Sequence, residues 1–194
     1  MGKLLKSWRI RILLILILLV GIGAFTWSCL DQVSKLRLKA NLGDARSQFY
    51  LGSEVYGSGY GEIAKDSKQA FKWIRMSADK GYPMAQLDMG AMYAKGMGVP
   101  KDEAESLKWY HKAAENWRKS AEHGDADSQL WLGVMHRDGL GMGKDPVEAY
   151  KCFILASAEP RQLGVACRDQ ISKQMTPEEI SEGKQRASAF VARK

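Results

Sequence analysis

Three segments of the sequence repeat one pattern of small and aromatic residues, and this repetition limits the fold more than any other feature. The segments begin at Ser47, Ala85 and Ser128. In each, a glycine is followed by an aromatic residue or histidine, two alternate glycines and an aspartate, and a tryptophan or cysteine stands seven residues after the aspartate. Units of this length bury their apolar faces only by stacking on one another. The sequence therefore predicts a repeat array.

Each repeat is predicted to form two helices joined by a glycine-rich turn. Apolar residues follow helical spacing on both sides of the glycine pair, and glycine permits a left-handed turn and close approach of the helices. The equivalent positions are Gly52, Tyr56, Gly59, Gly61 and Trp73 in repeat 1; Gly90, Tyr93, Gly96, Gly98 and Trp109 in repeat 2; and Gly133, His136, Gly139, Gly141 and Cys152 in repeat 3.

The distance between repeats changes once. The tryptophan position recurs after 36 residues and then after 43, because "ENWRKSA" extends the second helix of repeat 2 by about two turns. An insertion of seven residues keeps the apolar face nearly in phase. The predicted organisation is a linker and N-terminal half-repeat at 31–46, repeats at 47–82, 83–125 and 126–160, and C-terminal capping helices at 161–194. A capping box of Thr176 and Glu179 is predicted to start the last helix.

The segment "GSGYGE" at 57–62 has the alternate glycines of a phosphate-binding loop. A dinucleotide-binding fingerprint has a third glycine where this chain has Glu62, and a P-loop needs a Lys-Ser or Lys-Thr pair that is missing here. The same glycine pair recurs in repeats 2 and 3. It is therefore interpreted as the turn between two helices.

Residues 12–30 form an uncharged apolar run that is preceded by four cations. A helix of this length spans roughly 28 Å, close to the hydrocarbon thickness of a bilayer. The positive-inside rule places the N-terminus in the cytoplasm and exports the rest of the chain. Residues 1–30 are predicted to be an uncleaved signal anchor, with a cleaved signal peptide or lipidation at Cys29 as alternatives.

The charge pattern argues against a nucleic-acid partner. The net charge is +7, but residues 1–30 supply four of these charges, and acidic and basic residues alternate through the remainder. Cys152 and Cys167 are a candidate disulfide in an oxidising compartment, with two separate buried thiols as the alternative. No zinc-site spacing is present, and no metal, cofactor or small-molecule substrate is expected.

No catalytic constellation is evident, and enzymatic activity is not expected. His111 and His123 fall on solvated helix stretches, and His136 fills an aromatic core position. The serines considered for a Ser-x-x-Lys motif are Ser67, which lacks the lysine, and Ser181, which lacks the companion motifs. Cys152 replaces a core tryptophan and is expected to be an inert thiol.

The segments "LGSEVYGSGYG", "MGAMYAKGMGVPKD" and "LKWYHKAAE" resemble the Sel-1-like repeat, a relative of the tetratricopeptide repeat. The resemblance covers about residues 36–160. It implies an all-α fold, a right-handed α-solenoid of helix–turn–helix repeats. Repeat 3 departs most from the pattern, since it has His136 for tyrosine and Cys152 for tryptophan.

The resemblance implies that the array binds a protein partner on its concave face. Two rows of first-helix positions are predicted to contact the partner: Tyr50, Asp88 and Trp131, and, a turn further on, Glu54, Met92 and Met135. Packing of Tyr50 and Trp131 against neighbouring helices is the alternative. Tyr60 and Trp117 are further candidates for exposure.

The resemblance extends to short exported bacterial members of the family. It implies an inner-membrane protein with periplasmic repeats, or a soluble periplasmic protein or lipoprotein after cleavage. Some such relatives are immunity proteins that bind and block lipase or phospholipase effectors of type VI secretion. Others are envelope scaffolds or adaptors, and some disulfide-rich relatives suggest a peptidoglycan-related hydrolase as a competing class.

Overall fold

The structure is a computed structural model that describes residues 32–58, 66–157 and 162–191. These ranges contain helices joined by turns and no β-strand. The helices are α1 (Gln32–Asn41), α2 (Ala45–Tyr50), which continues directly into a π-helical segment (Leu51–Gly57), α3 (Ser67–Asp79), α4 (Pro83–Lys95), α5 (Glu103–Glu122), α6 (Ala126–Asp138), α7 (Pro146–Ala156), α8 (Gln162–Ser172) and α9 (Pro177–Ser188).

The helices pack as successive pairs. The first helix of each repeat is α2 with its π-helical segment, then α4, then α6, and the second helices are α3, α5 and α7. Each first helix contacts its own second helix, and α3 and α5 also contact the first helix of the next repeat. The predicted all-α solenoid is confirmed.

The repeated aspartate begins each second helix. Asp66, Asp102 and Asp145 have extended backbones, and their carboxylates accept hydrogen bonds from backbone N–H groups of the first helical turn. Such N-caps satisfy donors that a helix cannot pair internally. The backbone N–H of each aspartate also donates to the carbonyl of the tyrosine or histidine at the end of the preceding helix, at 2.9 to 3.0 Å. These bonds hold the two helices of a repeat at their connecting turn.

The π-helical segment accommodates an extra residue in repeat 1. Tyr56 stands four residues after its repeat glycine, whereas Tyr93 and His136 stand three residues after theirs. All three carbonyls nevertheless accept the equivalent aspartate N–H. A π-helical turn contains about one residue more than an α-helical turn. The wider winding therefore keeps Tyr56 in register with its counterparts.

The repeat glycines lie where the two helices of a repeat approach most closely. A Cβ atom on Gly90 would lie 2.5 Å from the ring of Tyr110, and one on Gly133 would lie 2.7 Å from the ring of Phe153. Any larger side chain would separate the helices or displace these rings. The expectation of close helix approach at these glycines is confirmed.

The insertion in repeat 2 forms part of the packing. Trp117 is buried against Ala113, Ala114 and Met135. Asn116 Nδ2 donates to Gln86 Oε1 of α4 at 2.8 Å. The expectation that Trp117 is exposed is wrong, because the two added turns of α5 lie against the neighbouring first helices and bring this ring inside.

The helices α8 and α9 cover the C-terminal end of the array by packing on α7. The predicted capping box at Thr176 and Glu179 is present. Arg186 of α9 pairs with Glu148 of α7 at 3.1 Å and with Glu182 of its own helix at 2.6 Å. The basic side chain thus ties the terminal helix to repeat 3.

Cys152 and Cys167 do not form the candidate disulfide. Both are free thiols. Cys152 packs with Ala121 and Leu132, whereas Cys167 packs at the edge of a separate cluster around Phe153. The alternative of two separate thiols therefore describes the structure, with Cys152 buried and Cys167 only partly so.

Several predicted features fall outside the described residues. The proposed anchor at 1–30, Tyr60 and the first glycine pair, Gly59 and Gly61, belong to the part of the chain that the structure leaves undescribed. Among the helices that it does describe, none combines the length and apolar character needed to cross a bilayer.

Candidate functional site

The first-helix row predicted to contact a partner has three different environments. Tyr50 is the most accessible, with 41% of its surface exposed. Asp88 is partly buried on α4. Trp131 is also partly buried, because its ring stacks on Trp117 at 5.8 Å between centroids and 13° between planes. The structure thus brings an exposed aromatic and a shielded carboxylate to the first-helix surface, while Trp131 is largely engaged in packing.

The second predicted row is not a surface row. Glu54 is exposed, but Met92 is only 4% exposed and Met135 is fully buried. The placement of both methionines as partner-facing residues is wrong. Each methionine directly precedes the tyrosine or histidine near the end of its first helix. In repeat 1 the residue at that place is the buried Val55, not Glu54. The extra residue in repeat 1 causes this shift of register.

A groove of about 300 Å³ separates the first helices of repeats 1 and 2. Apolar side chains of α3 and α4, Ile74 and Met92, line it together with Met97 of the following turn. The polar lining residues are three serines and two charged residues: Ser53, Ser58, Ser67, Asp88 and Lys95. The groove therefore combines an apolar interior with a small number of polar groups, as is typical of binding sites.

The carboxylate of Asp88 is partly buried and lies near a second negative charge. Burial, and secondarily the negative charge of Glu54 on the neighbouring repeat, raise the pKa of Asp88 to about 6. Within the described residues, no salt bridge reaches either carboxylate. At neutral pH the groove thus holds a largely ionised carboxylate that no cation compensates.

We expect Asp88→Asn to stabilise the protein at pH 7.5. The raised pKa means that the folded state binds the Asp88 proton more tightly than the unfolded state, so this group stabilises the fold at low pH and loses that contribution between about pH 4 and pH 6. The gain at pH 7.5 is about 1–3 kcal/mol, and it should vanish near pH 4. Urea denaturation at both pH values measures it. Equal effects at the two values would contradict a carboxylate destabilised by burial.

The other titratable candidates do not form a reactive site. His111 and His123 are exposed, as expected, and burial lowers the pKa of the partly buried His136. Burial raises the pKa of the Cys152 thiol to about 12, which keeps it protonated and unreactive. Among the described residues, no group of three or more histidine, cysteine or acidic side chains is placed to hold a metal ion.

Three buried glutamines are structural residues that the sequence analysis missed. Gln48, Gln86 and Gln129 occupy one position in the three repeats. Each side-chain amide donates to the carbonyl of an alanine at the end of the preceding helix, respectively Ala40, Ala78 and Ala121, at 2.9 to 3.3 Å. The signal was available, since each glutamine stands four residues before the repeat glycine. These bonds link successive helix pairs through the core.

The model of the Sel1 repeat matches residues 45–82, 83–116 and 126–159. The chain belongs to the Sel1 repeat family. The inserted residues after Asn116 fall between the second and third matches. Sel1 repeats are protein-interaction modules.

Curated relatives share parts of the array. The chain is 40% identical over 52 residues to the chitin synthase regulator SKT5 of Saccharomyces cerevisiae, covering 27% of this chain and 8% of that protein. It is 30% identical over 89 residues to a putative Sel1-like repeat-containing protein, R815, of Acanthamoeba polyphaga mimivirus, covering 46% and 16%. The chain thus spans less than a fifth of the length of either relative.

Two solved structures are similar to parts of this chain. The first is c5321, a protective antigen of uropathogenic Escherichia coli with an SLR fold, at 30% identity and a TM-score of 0.55 over 81% of this chain and 32% of that one. The second is a Sel1 repeat protein from Oxalobacter formigenes, at 31% identity and a TM-score of 0.45 over 65% of this chain and 89% of that one.

Proposed function

We infer that the chain is a non-enzymatic binding protein that holds its partner on the exposed surface of the first helices of repeats 1 and 2. The observation that carries this proposal is the groove between repeats 1 and 2, which is lined by the carboxylate of Asp88. The exposed ring of Tyr50 lies on the first helix of repeat 1. Exposed aromatic residues are frequent centres of binding energy in protein interfaces.

The specific form of this proposal is an immunity protein. Residues 1–30 would anchor the chain in the inner membrane of a bacterium and place the repeats in the periplasm, where a phospholipase effector delivered by type VI secretion acts. The array would bind this toxin and cover the mouth of its active site, without chemistry of its own. The uncharged run at 12–30 after four cations supports the export, and the immunity role rests on resemblance to short exported Sel1-like proteins.

The second candidate is an envelope scaffold or adaptor that assembles or regulates membrane complexes. The match to a yeast protein described as a regulator of chitin synthase favours it, because that relative is described as acting on an enzyme rather than on a toxin. Both candidates use the same binding surface. They differ in the identity of the bound protein.

Capture of the partner separates the two candidates. The full-length chain, tagged after Lys194, would be expressed at its normal level in the organism that encodes it and purified from detergent-solubilised envelopes. The immunity proposal expects one stoichiometric lipase or phospholipase among the co-purifying proteins. A set of envelope proteins without a toxin would favour the scaffold, and purification of the chain alone would contradict both.

Tyr50→Ala is expected to weaken binding of the captured partner at least tenfold and to leave the melting temperature nearly unchanged, because this side chain is largely exposed. Trp131→Ala should lower the melting temperature as well, since it removes the stack on Trp117. Titration of the purified partner and thermal melts of both variants provide the comparison. Normal binding by Tyr50→Ala would remove this residue from the interface.

A further inference from the structure

Two polar groups of the groove between repeats 1 and 2 lack a partner within the described residues: Asp88 has no salt bridge, and the Ser53 hydroxyl has no hydrogen bond. Several carboxylates elsewhere on the surface are paired with cations, as Asp79 is with Arg75 at 3.2 Å and Asp138 with Arg137 at 2.7 Å. Asp88 and Glu54 form no such pair within the described residues. Because Asp88 is partly buried, a cation would interact with it more strongly than with an exposed carboxylate. A missing cation at a partly buried carboxylate indicates that the partner supplies it.

A second group in the groove also lacks a partner. The hydroxyl oxygen of Ser53, on the π-helical segment, is shielded from solvent and makes no hydrogen bond. An unsatisfied buried hydroxyl costs free energy unless a ligand or an ordered water pairs with it. Ser53 on the π-helical segment and Asp88 on α4 therefore line one groove from two different repeats.

The only cation that lines the groove with Asp88, among the described residues, is Lys95. Lys95 lies two turns further along α4, about 10 Å in rise from Asp88. It forms no salt bridge with Asp88. The positive charge of Lys95 thus does not satisfy the site, and it leaves the Asp88 side of the groove acidic.

We propose that this groove receives a lysine or arginine side chain that projects from the partner protein, with its cationic head against Asp88 and Glu54 and its aliphatic stem along Ala91 and Met97, two apolar lining residues that are not buried. The inference rests on the proposed protein-binding function and names the chemistry that the surface recognises. Long basic side chains combine an apolar stem with a charged donor end, which matches an apolar groove with acceptors at one side.

A metal ion fits this site less well than a basic side chain. Calcium and magnesium require several oxygen ligands around one point, and no described cluster of three acidic, histidine or cysteine side chains exists here. The apolar lining of Ala91 and Met97 also has no role in binding a bare ion. It does match the methylene groups of a lysine or arginine side chain.

The test uses the full-length chain in detergent and small probes of the side chain itself. Amide NMR spectra would be recorded during titration with N-acetylarginine amide, N-acetyllysine amide and N-acetylcitrulline amide, the last being a neutral mimic of arginine. We expect a saturable response around Ser53 and Asp88, with at least tenfold tighter binding of one basic probe than of citrulline. Binding should weaken about tenfold between pH 7.5 and pH 5, because Asp88 becomes protonated.

Two variants complete the design. Asp88→Asn should abolish the response, whereas Asp169→Asn, which removes the same charge from an exposed position on α8, should leave it unchanged. No saturable response, equal binding of citrulline, or a response that survives Asp88→Asn would overturn the proposal. Saturation by free spermidine more tightly than by either basic amino-acid probe would also overturn it, in favour of a polyamine ligand.

The captured partner distinguishes this inference from the proposed function. If wild type and Asp88→Asn retain the partner equally, the chain is still a binding protein and only the basic-side-chain inference fails. If neither retains any partner, the proposed function fails as well. Loss of the partner from Asp88→Asn alone, with a melting temperature no lower than that of the wild type, supports both.

Discussion

Gly98→Ala is expected to destabilise the protein by about 3–5 kcal/mol, whereas Gly96→Ala, two residues earlier, should cost only about 1–2 kcal/mol. Both glycines have left-handed backbones, with φ of +74° and +68°. A Cβ atom on Gly98 would lie 2.0 Å from the carbonyl oxygen of Ser67, while one on Gly96 would meet nothing closer than 3.5 Å. The first substitution therefore adds a clash with the backbone of α3 to the cost of the left-handed conformation.

Equilibrium urea denaturation of the two alanine variants measures the difference. Since the strain from the left-handed backbone is nearly equal, the difference isolates the close contact between the turn of repeat 2 and the second helix of repeat 1. Equal losses of stability would show that the turn does not pack on α3 as described.

Trp109→Ala is expected to cost about 3–5 kcal/mol, because it removes a large side chain that is 4% exposed. The ring also lies under two cations, Arg75 at 5.5 Å and Lys112 at 4.2 Å from its centroid. Trp73→Ala should lower the free energy of unfolding by less, about 2 kcal/mol. Its ring is only partly buried, at the edge of the cluster of Ala40, Leu51 and Val55.

The two tryptophans form a matched pair, because they occupy one repeat position. Denaturant titration of both alanine variants provides the test. A loss for Trp73→Ala as large as that for Trp109→Ala would contradict the partial burial of Trp73. It would instead fit the equal core roles that the repeat pattern predicts.

The solenoid could be predicted because its determinants recur in the sequence. The glycines at 90 and 133, the aspartate N-caps and the capping box at Thr176 each have a local physical reason, and the structure contains them. Their repetition at nearly fixed spacing makes each copy a check on the others. Features that have a local physical reason and recur at the same position of each repeat are therefore the easiest to predict from a sequence.

The candidate site could be predicted only in part, because it depends on register and on packing between repeats. Repeat 1 has one extra residue before Tyr56. Met92 and Met135 therefore correspond to the buried Val55 and not to the exposed Glu54. The burial of Trp117 depends on how the inserted turns of α5 meet the next repeat. Neither effect follows from the sequence of one repeat alone.

The groove was also outside the reach of sequence patterns. Ser53 and Asp88 belong to different repeats and have no shared motif. Only the packing of the π-helical segment and of α4 on α3 brings them to one groove. The sequence placed Asp88 in the row predicted to contact a partner, but it did not reveal the burial that raises the pKa of this residue.

Hydrogen–deuterium exchange of the full-length chain, with and without its captured partner, tests the central claim most directly. We expect the partner to slow exchange in the first helices, at residues 45–57 and 83–95, and to leave α5 and α7 unchanged. Protection confined to the second helices, with no change along Tyr50 to Gly57 or around Asp88, would contradict the assignment of the binding surface.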